Sequence, residues 1–135
     1  MKKNSLKLLT AVLALCFAFL SVSCRQHDEF SFSGTIVGYE ICQSMNDFAY
    51  LVSLESPAGL GDSIMIVEDS TCHGNVIAIY QSPKLLKIGR HIDGTIYINN
   101  NFNAAHCYRH YTYRDLATGE EITLQQAIFV KVNMD

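Results

Sequence analysis

The chain has 135 residues, with ten Lys and Arg against thirteen Asp and Glu and a formal charge of −3. Three basic residues (Lys2, Lys3, Lys7) precede residue 24 and every acidic residue follows it, so residues 24–135 carry −6 with histidine neutral. Phosphate backbones and anionic lipid surfaces are bound through clustered Lys and Arg, and the seven remaining basic residues are scattered from Arg25 to Lys131 without a run. That balance argues against nucleic acid as a partner.

Lys2, Lys3 and Lys7 form a positive n-region before the uncharged run Leu8 to Val22. The run is too short to span a bilayer comfortably and ends in small residues, which is the pattern of a secretory signal that is removed. Its end, Leu20-Ser21-Val22-Ser23-Cys24, resembles the lipobox of bacterial lipoproteins, although the Leu lies one place further from the Cys than is usual. The resemblance implies cleavage before Cys24, lipidation of Cys24 and anchoring in a membrane; cleavage by an ordinary signal peptidase after Ser23 is the alternative. The tether Arg25-Gln26-His27-Asp28-Glu29 is similar to the acidic export signals that follow the lipidated Cys in outer-membrane lipoproteins of Bacteroides- and Flavobacterium-type bacteria. It implies an outer-membrane location, surface-exposed or periplasmic. A single acyl chain binds a membrane only marginally, at about 0.8 kcal/mol per CH₂, while two or more hold a protein stably.

The chain thus divides into a signal peptide (1–23), a lipidated Cys with a polar tether (24–31) and one domain (32–135). The 112 residues from 24 onward suit one modest core. From Phe30 the pattern is β: short Val-, Ile-, Tyr- and Phe-rich runs separated by Gly, Asn, Asp and Pro, with no sustained 3.6-residue period. Strands are predicted at Phe32–Ile41, Phe48–Glu55, Ser63–Val67, Asn75–Tyr80, His91–Ile98, Tyr108–Tyr113 and Ile122–Val132. A helix of one or two turns is expected only at Ser82 to Gly89, where Ser caps, Pro starts and Gly ends it. Asn99 to Asn101 reads as a loop tip and Asp115 to Glu121 as a hairpin connection.

The order of these elements resembles the OB-fold, a small Greek-key barrel of five strands. The resemblance is carried by Gly34 to Tyr39, Val76 to Tyr80, Leu86 to Gly89 and Ile92 to Ile98, and is strained by the insertion Ser56 to Gly74. Gly38 falls where such a barrel needs a bulge, so that one strand serves both halves of the sheet. An all-β, closed or partly open OB-like barrel is therefore expected. The resemblance implies ligand binding across strands two and three and at the loops near Cys42 to Asp47 and Asn99 to His106. It also brings Cys42 and Cys107 to one barrel mouth, implying a Cys42–Cys107 disulfide that leaves Cys72 over.

Chemistry-bearing clusters are few. Cys72-His73 and His106-Cys107-Tyr108-Arg109-His110 supply Cys and imidazole groups of the kind that bind zinc or copper. In a strand, however, His106 and His110 are about 13 Å apart, and surface histidines beside a disulfide account for the cluster. Tyr108, Tyr111 and Tyr113 read as cross-strand packing or as an aromatic platform for a sugar or peptide. No nucleophile elbow, zinc-protease helix motif, P-loop or dinucleotide fingerprint is present. A Cys72 nucleophile with His106 or His110 is a low-grade signal, and Asp28-Glu29, Glu68-Asp69 and Glu120-Glu121 sit in tether, loop and turn. The expectation is a non-enzymatic, membrane-anchored binding or interaction module without a cofactor, its partner a glycan, a peptide or an envelope protein. A Cys/His metal or redox module and a structural accessory subunit are the alternatives.

Overall fold

The computed structural model describes residues 27–42, 48–82, 86–101, 107–108 and 111–133, with Thr10 and Val12; at Ile41, Cys42, Phe48, Cys107 and Tyr108 it describes the backbone alone. Thr10 and Val12 are helical. The rest of the signal segment and Cys24 lie outside the described residues, as do most of the two loops expected to shape a ligand face.

The chain is all-β. Eight strands follow in order: β1 (Glu29–Cys42), β2 (Phe48–Ser56), β3 (Asp62–Ile66), β4 (Thr71–Ser82), β5 (His91–Ile98), β6 (Cys107–Tyr108), β7 (Tyr113–Asp115) and β8 (Gln126–Asn133). Seven lie in the sheet order β2-β1-β5-β8-β4-β3-β7, with β6 joined to β1 off that path and β2 also paired to β4. Pairing can therefore be followed from β1 to β2, β4, β8, β5 and back to β1. Within this circuit only β4 and β8 run parallel, with Ala78, Ile79 and Tyr80 opposite Gln126, Ala127 and Ile128.

Side chains alternate along β1 up to Ile36, so that Phe32 and Ile36 are buried on one face; past residue 37 the parity reverses, and Tyr39 packs on the side of Phe32 and Ile36 while the buried Glu40 meets Tyr113 on the other side. The register with β2 shifts between Ile36 and Gly38, the bulge that the sequence places at this glycine. Beyond the shift, β1 continues along β2 to Ile41 opposite Phe48, while its other edge is passed from β5 to β6. At Gly94 the strands come so close that a Cβ would stand 2.0 Å from the Lys131 carbonyl oxygen.

Two apolar cores result. The inner one gathers Phe32, Ile36, Tyr50, Val52, Ile77, Ile79, Ile92, Ile96 and Ala127 from the five strands of the circuit. Tyr50 hydroxyl accepts a hydrogen bond from the Leu86 amide at 2.7 Å, fixing the segment after β4 against this core. The outer one sets Ala49 and Leu51 of β2 and Val76, Ala78 and Tyr80 of β4 against Ile64 and Ile66 of β3 and Tyr113 of β7. The central stretches of β2 and β4 are thus buried on both faces, and this is why Ala49-Tyr50-Leu51-Val52 and Val76-Ile77-Ala78-Ile79-Tyr80 are unbroken apolar runs.

The insertion at 56–74 supplies β3 and the start of β4 to the outer layer, which β7 completes. β4 pairs with β2 from Val76 to Ser82 and with β3 from Thr71 to Val76. The change of partner coincides with Asn75, whose φ of +53° lies in the left-handed region that Asn tolerates. Its carboxamide accepts from the Gly61 amide at 2.7 Å and donates to the carbonyls of Leu54 and Pro57, both at 3.0 Å. One side chain thereby ties the β2–β3 connection to the point where β4 leaves the circuit.

The structure corrects three strand expectations. The run Tyr108–Tyr113 is not one strand: β6 ends at Tyr108, Tyr111 and Thr112 are irregular, and β7 starts at Tyr113. Ile122 to Gln125 precede β8 as irregular chain, apart from a bridge between Glu121 and Arg114. β4 starts four residues earlier than expected, because its polar beginning pairs with β3 on an exposed hairpin. The expected helical turn falls partly on residues 83–85, outside the described residues, and its described end is a turn at Ile88 and Gly89.

Candidate functional site

Where the β3–β4 hairpin folds over β1 and β2, it leaves a groove of about 480 Å³. One wall is the outer face of the circuit, with Thr35 and Val37 of β1 and Ser53 of β2; the other is Asp69, Thr71 and His73 of the hairpin. Exposed Ile88, beside Gly89, closes one end.

The hairpin wall is ordered by its own hydrogen bonds. Asp69 Oδ1 accepts from the Thr71 amide at 3.0 Å and from the Thr71 hydroxyl at 2.6 Å. Those bonds, with a smaller contribution from the nearby His73, hold the Asp69 carboxyl below its ordinary range. His73 Nε2 lies 3.0 Å from Thr71 Oγ1. Because the Thr71 proton is directed at Asp69, the imidazole supplies the hydrogen of that contact, and Nε2 is its protonated nitrogen. Next to it, Glu68 accepts the Thr112 amide on both carboxylate oxygens, at 2.7 and 2.8 Å. This bond is the chief reason its carboxyl too sits below the ordinary value. The groove therefore combines hydroxyls, a carboxylate and an oriented imidazole with the apolar side chains of Val37 and Ile88.

A second depression, of about 540 Å³, lies where β3 and β8 part on the same edge of β4, lined by Asp62, Asn100, Thr123 and Gln125 among others. Its wall is mainly structural: Asn100 Oδ1 accepts from the Gln126 amide at 2.9 Å, and the Gln125 carbonyl accepts from the Ala78 amide at 2.9 Å.

The structure distributes the residues singled out from the sequence widely. Cys72 is an exposed free thiol opposite Met65. It neighbours His73 in a strand, where successive side chains project to opposite faces, so His73 lines the groove and Cys72 does not share an ion with it. His106 and His110 lie outside the described residues, among which no cluster of three or more metal-ligating side chains occurs. Tyr113 is buried in the outer core with its hydroxyl donating to the buried Glu40 carboxylate at 2.9 Å, and so presents no face to a ligand. Tyr111 is half-buried against the same core, and Tyr108 is described by its backbone only. Cys42 and Cys107 stand opposite each other in the β1–β6 register. Sequence reasoning missed Asp69, Thr71, Thr35 and Ser53, which carry no spacing signal. The two-faced apolar runs of β2 and β4 were the signal that something covers their outer side.

No protein-family model, curated protein or solved structure matches the chain.

Proposed function

We propose that the protein is a membrane-anchored envelope lipoprotein whose β domain is an OB-like Greek-key barrel, serving as a binding or interaction module with the groove as its ligand site. The barrel reading is supported by the circuit β1–β2–β4–β8–β5 with its single parallel pair, the connectivity of a five-stranded OB-type barrel. The groove is the observation that carries the binding reading. An OB-fold usually presents its second and third strands to a ligand. Here the corresponding strands, β2 and β4, are covered by the chain's own β3 and β7, and the accessible opening is displaced towards β1. Hydroxyl, carboxylate and imidazole groups beside two aliphatic side chains suit a glycan or a short peptide.

The test is an NMR titration of the domain with soluble envelope oligosaccharides and, separately, with envelope-derived peptides. Shifts concentrated at Thr35, Thr71 and His73, lost in Asp69→Ala, are the expected result; shifts confined to other surfaces overturn the assignment. Anchoring rests on the sequence from Lys2 to Cys24 and is tested by mass spectrometry of the mature N-terminus. A diacylated or triacylated Cys24 is expected, with Cys24→Ala left uncut and unlipidated; an unmodified chain starting elsewhere overturns it.

A further inference from the structure

β6 is two residues long, and its backbone partners on β1 are Ile41 opposite Tyr108 and Cys42 opposite Cys107. Directly opposed residues of an antiparallel pair share a sheet face and have Cα atoms about 4.5 or 5.5 Å apart, depending on whether they exchange hydrogen bonds. Both separations fall inside the roughly 4.4 to 6.8 Å that a disulfide spans. Cys72 is far from this point. Ile41 lies opposite Phe48 and Phe48 opposite Ser82, while Cys72 sits near the other end of β4, on the order of 30 Å further along the strand. Sixty-five positions separate Cys42 from Cys107 in sequence, so only the fold brings them into register.

We propose that Cys42 and Cys107 form a disulfide that staples β6 to the end of β1. Each thiol loses a proton and an electron, one S–S bond forms, and a partner disulfide of the thiol-exchange class takes up both electrons and both protons to become a dithiol. The staple lies next to the second tie between β1 and the outer layer, the Tyr113 hydroxyl on Glu40, which neighbours Ile41 in β1. The crosslink thus fixes the chain entering β7 to the strand that carries Glu40. In the cell the reaction needs an oxidising compartment and rests on export; the pairing itself rests on the register alone.

The experiment separates the two. Full-length chain carrying Cys16→Ser and Cys24→Ser is folded with oxidised glutathione, its remaining thiols are alkylated, and non-reduced peptides are mapped by mass spectrometry. The expected result is one linked pair containing Cys42 and Cys107, with Cys72 alkylated. In Cys72→Ser the same pair persists, and in Cys42→Ser it is lost. Alkylation of both Cys42 and Cys107, or a link from either to Cys72, overturns the proposal. Formation of the pair in vitro but reduced thiols in protein taken from cells contradicts export while leaving the pairing intact.

Discussion

The five-strand circuit and the outer layer are built from the same kinds of residue but are held in different ways. Within the circuit each strand pairs with two others, and the inner core is assembled from all five. The outer layer consists of a five-residue strand and a three-residue strand at the end of the sheet order, and much of its core comes from β2 and β4. The layer depends on the circuit for its apolar partners, while the buried residues of the inner core come from the circuit strands and Leu86, with Leu60 of the insertion packed at their edge. One wall of the groove, the β3–β4 hairpin, therefore stands on strands with fewer partners than those of the circuit, and it is expected to open before the circuit unfolds.

The largest expected effect compares two isoleucines that are both fully buried, Ile96 in the inner core and Ile64 in the outer one. Removing such a side chain costs about 2 to 5 kcal/mol. Ile96→Ala should show all of that cost as a lower denaturant midpoint for global unfolding. Ile64→Ala should show less in the same measurement, because the layer is released before the circuit melts; equal shifts would mean that the two regions are one cooperative unit.

Asn75 joins the regions, and Asn75→Ala removes three hydrogen bonds while leaving a residue with a Cβ in a left-handed conformation. A loss of about 2 to 3 kcal/mol follows, measured by chemical denaturation. Asn75→Gly, which keeps the conformation, should recover part of it. Tyr113→Phe breaks the layer's bond to Glu40 and leaves a buried carboxylate short of a donor, for about 1 to 2 kcal/mol. Its effect should fall mainly on β7 amides and little on β5.

Acid acts on the layer most weakly. Glu68 and Asp69 have folded-state pKa values below their ordinary ones because they accept bonds from Thr112 and Thr71. Their contribution is complete above the ordinary carboxylate range, near pH 4, and is lost as pH falls through the lowered values. The Thr112 amide resonance should follow that transition, and Glu68→Gln should abolish it.

The sequence made β1, β2 and β5 legible because period-two alternation or a bounded apolar run marks them, and the bulge at Gly38 because a glycine stands in mid-strand. The outer layer was hidden for a physical reason. Thr71 to Gly74 alternate between half-exposed and exposed and carry no apolar run, so the start of β4 shows no apolar pattern, and Tyr113 looked like part of one aromatic strand although irregular chain at Tyr111 and Thr112 precedes it. His73 drew attention as a metal ligand beside Cys72, whereas alternation puts the two on opposite faces. Its partners Asp69 and Thr71 are the ordinary residues of a hairpin turn, and nothing in their spacing distinguishes a groove wall from a solvated loop.

Native-state hydrogen exchange, followed residue by residue in increasing denaturant, tests most directly whether the groove is formed by a separable layer on the five-strand circuit. The account predicts that amides of Tyr50, Ile79 and Ile96 exchange only through global unfolding, while those of Met65 and Arg114 open at lower free energy and with a smaller denaturant dependence. Met65 and Arg114 sharing the opening energy and slope of Ile79 would contradict it.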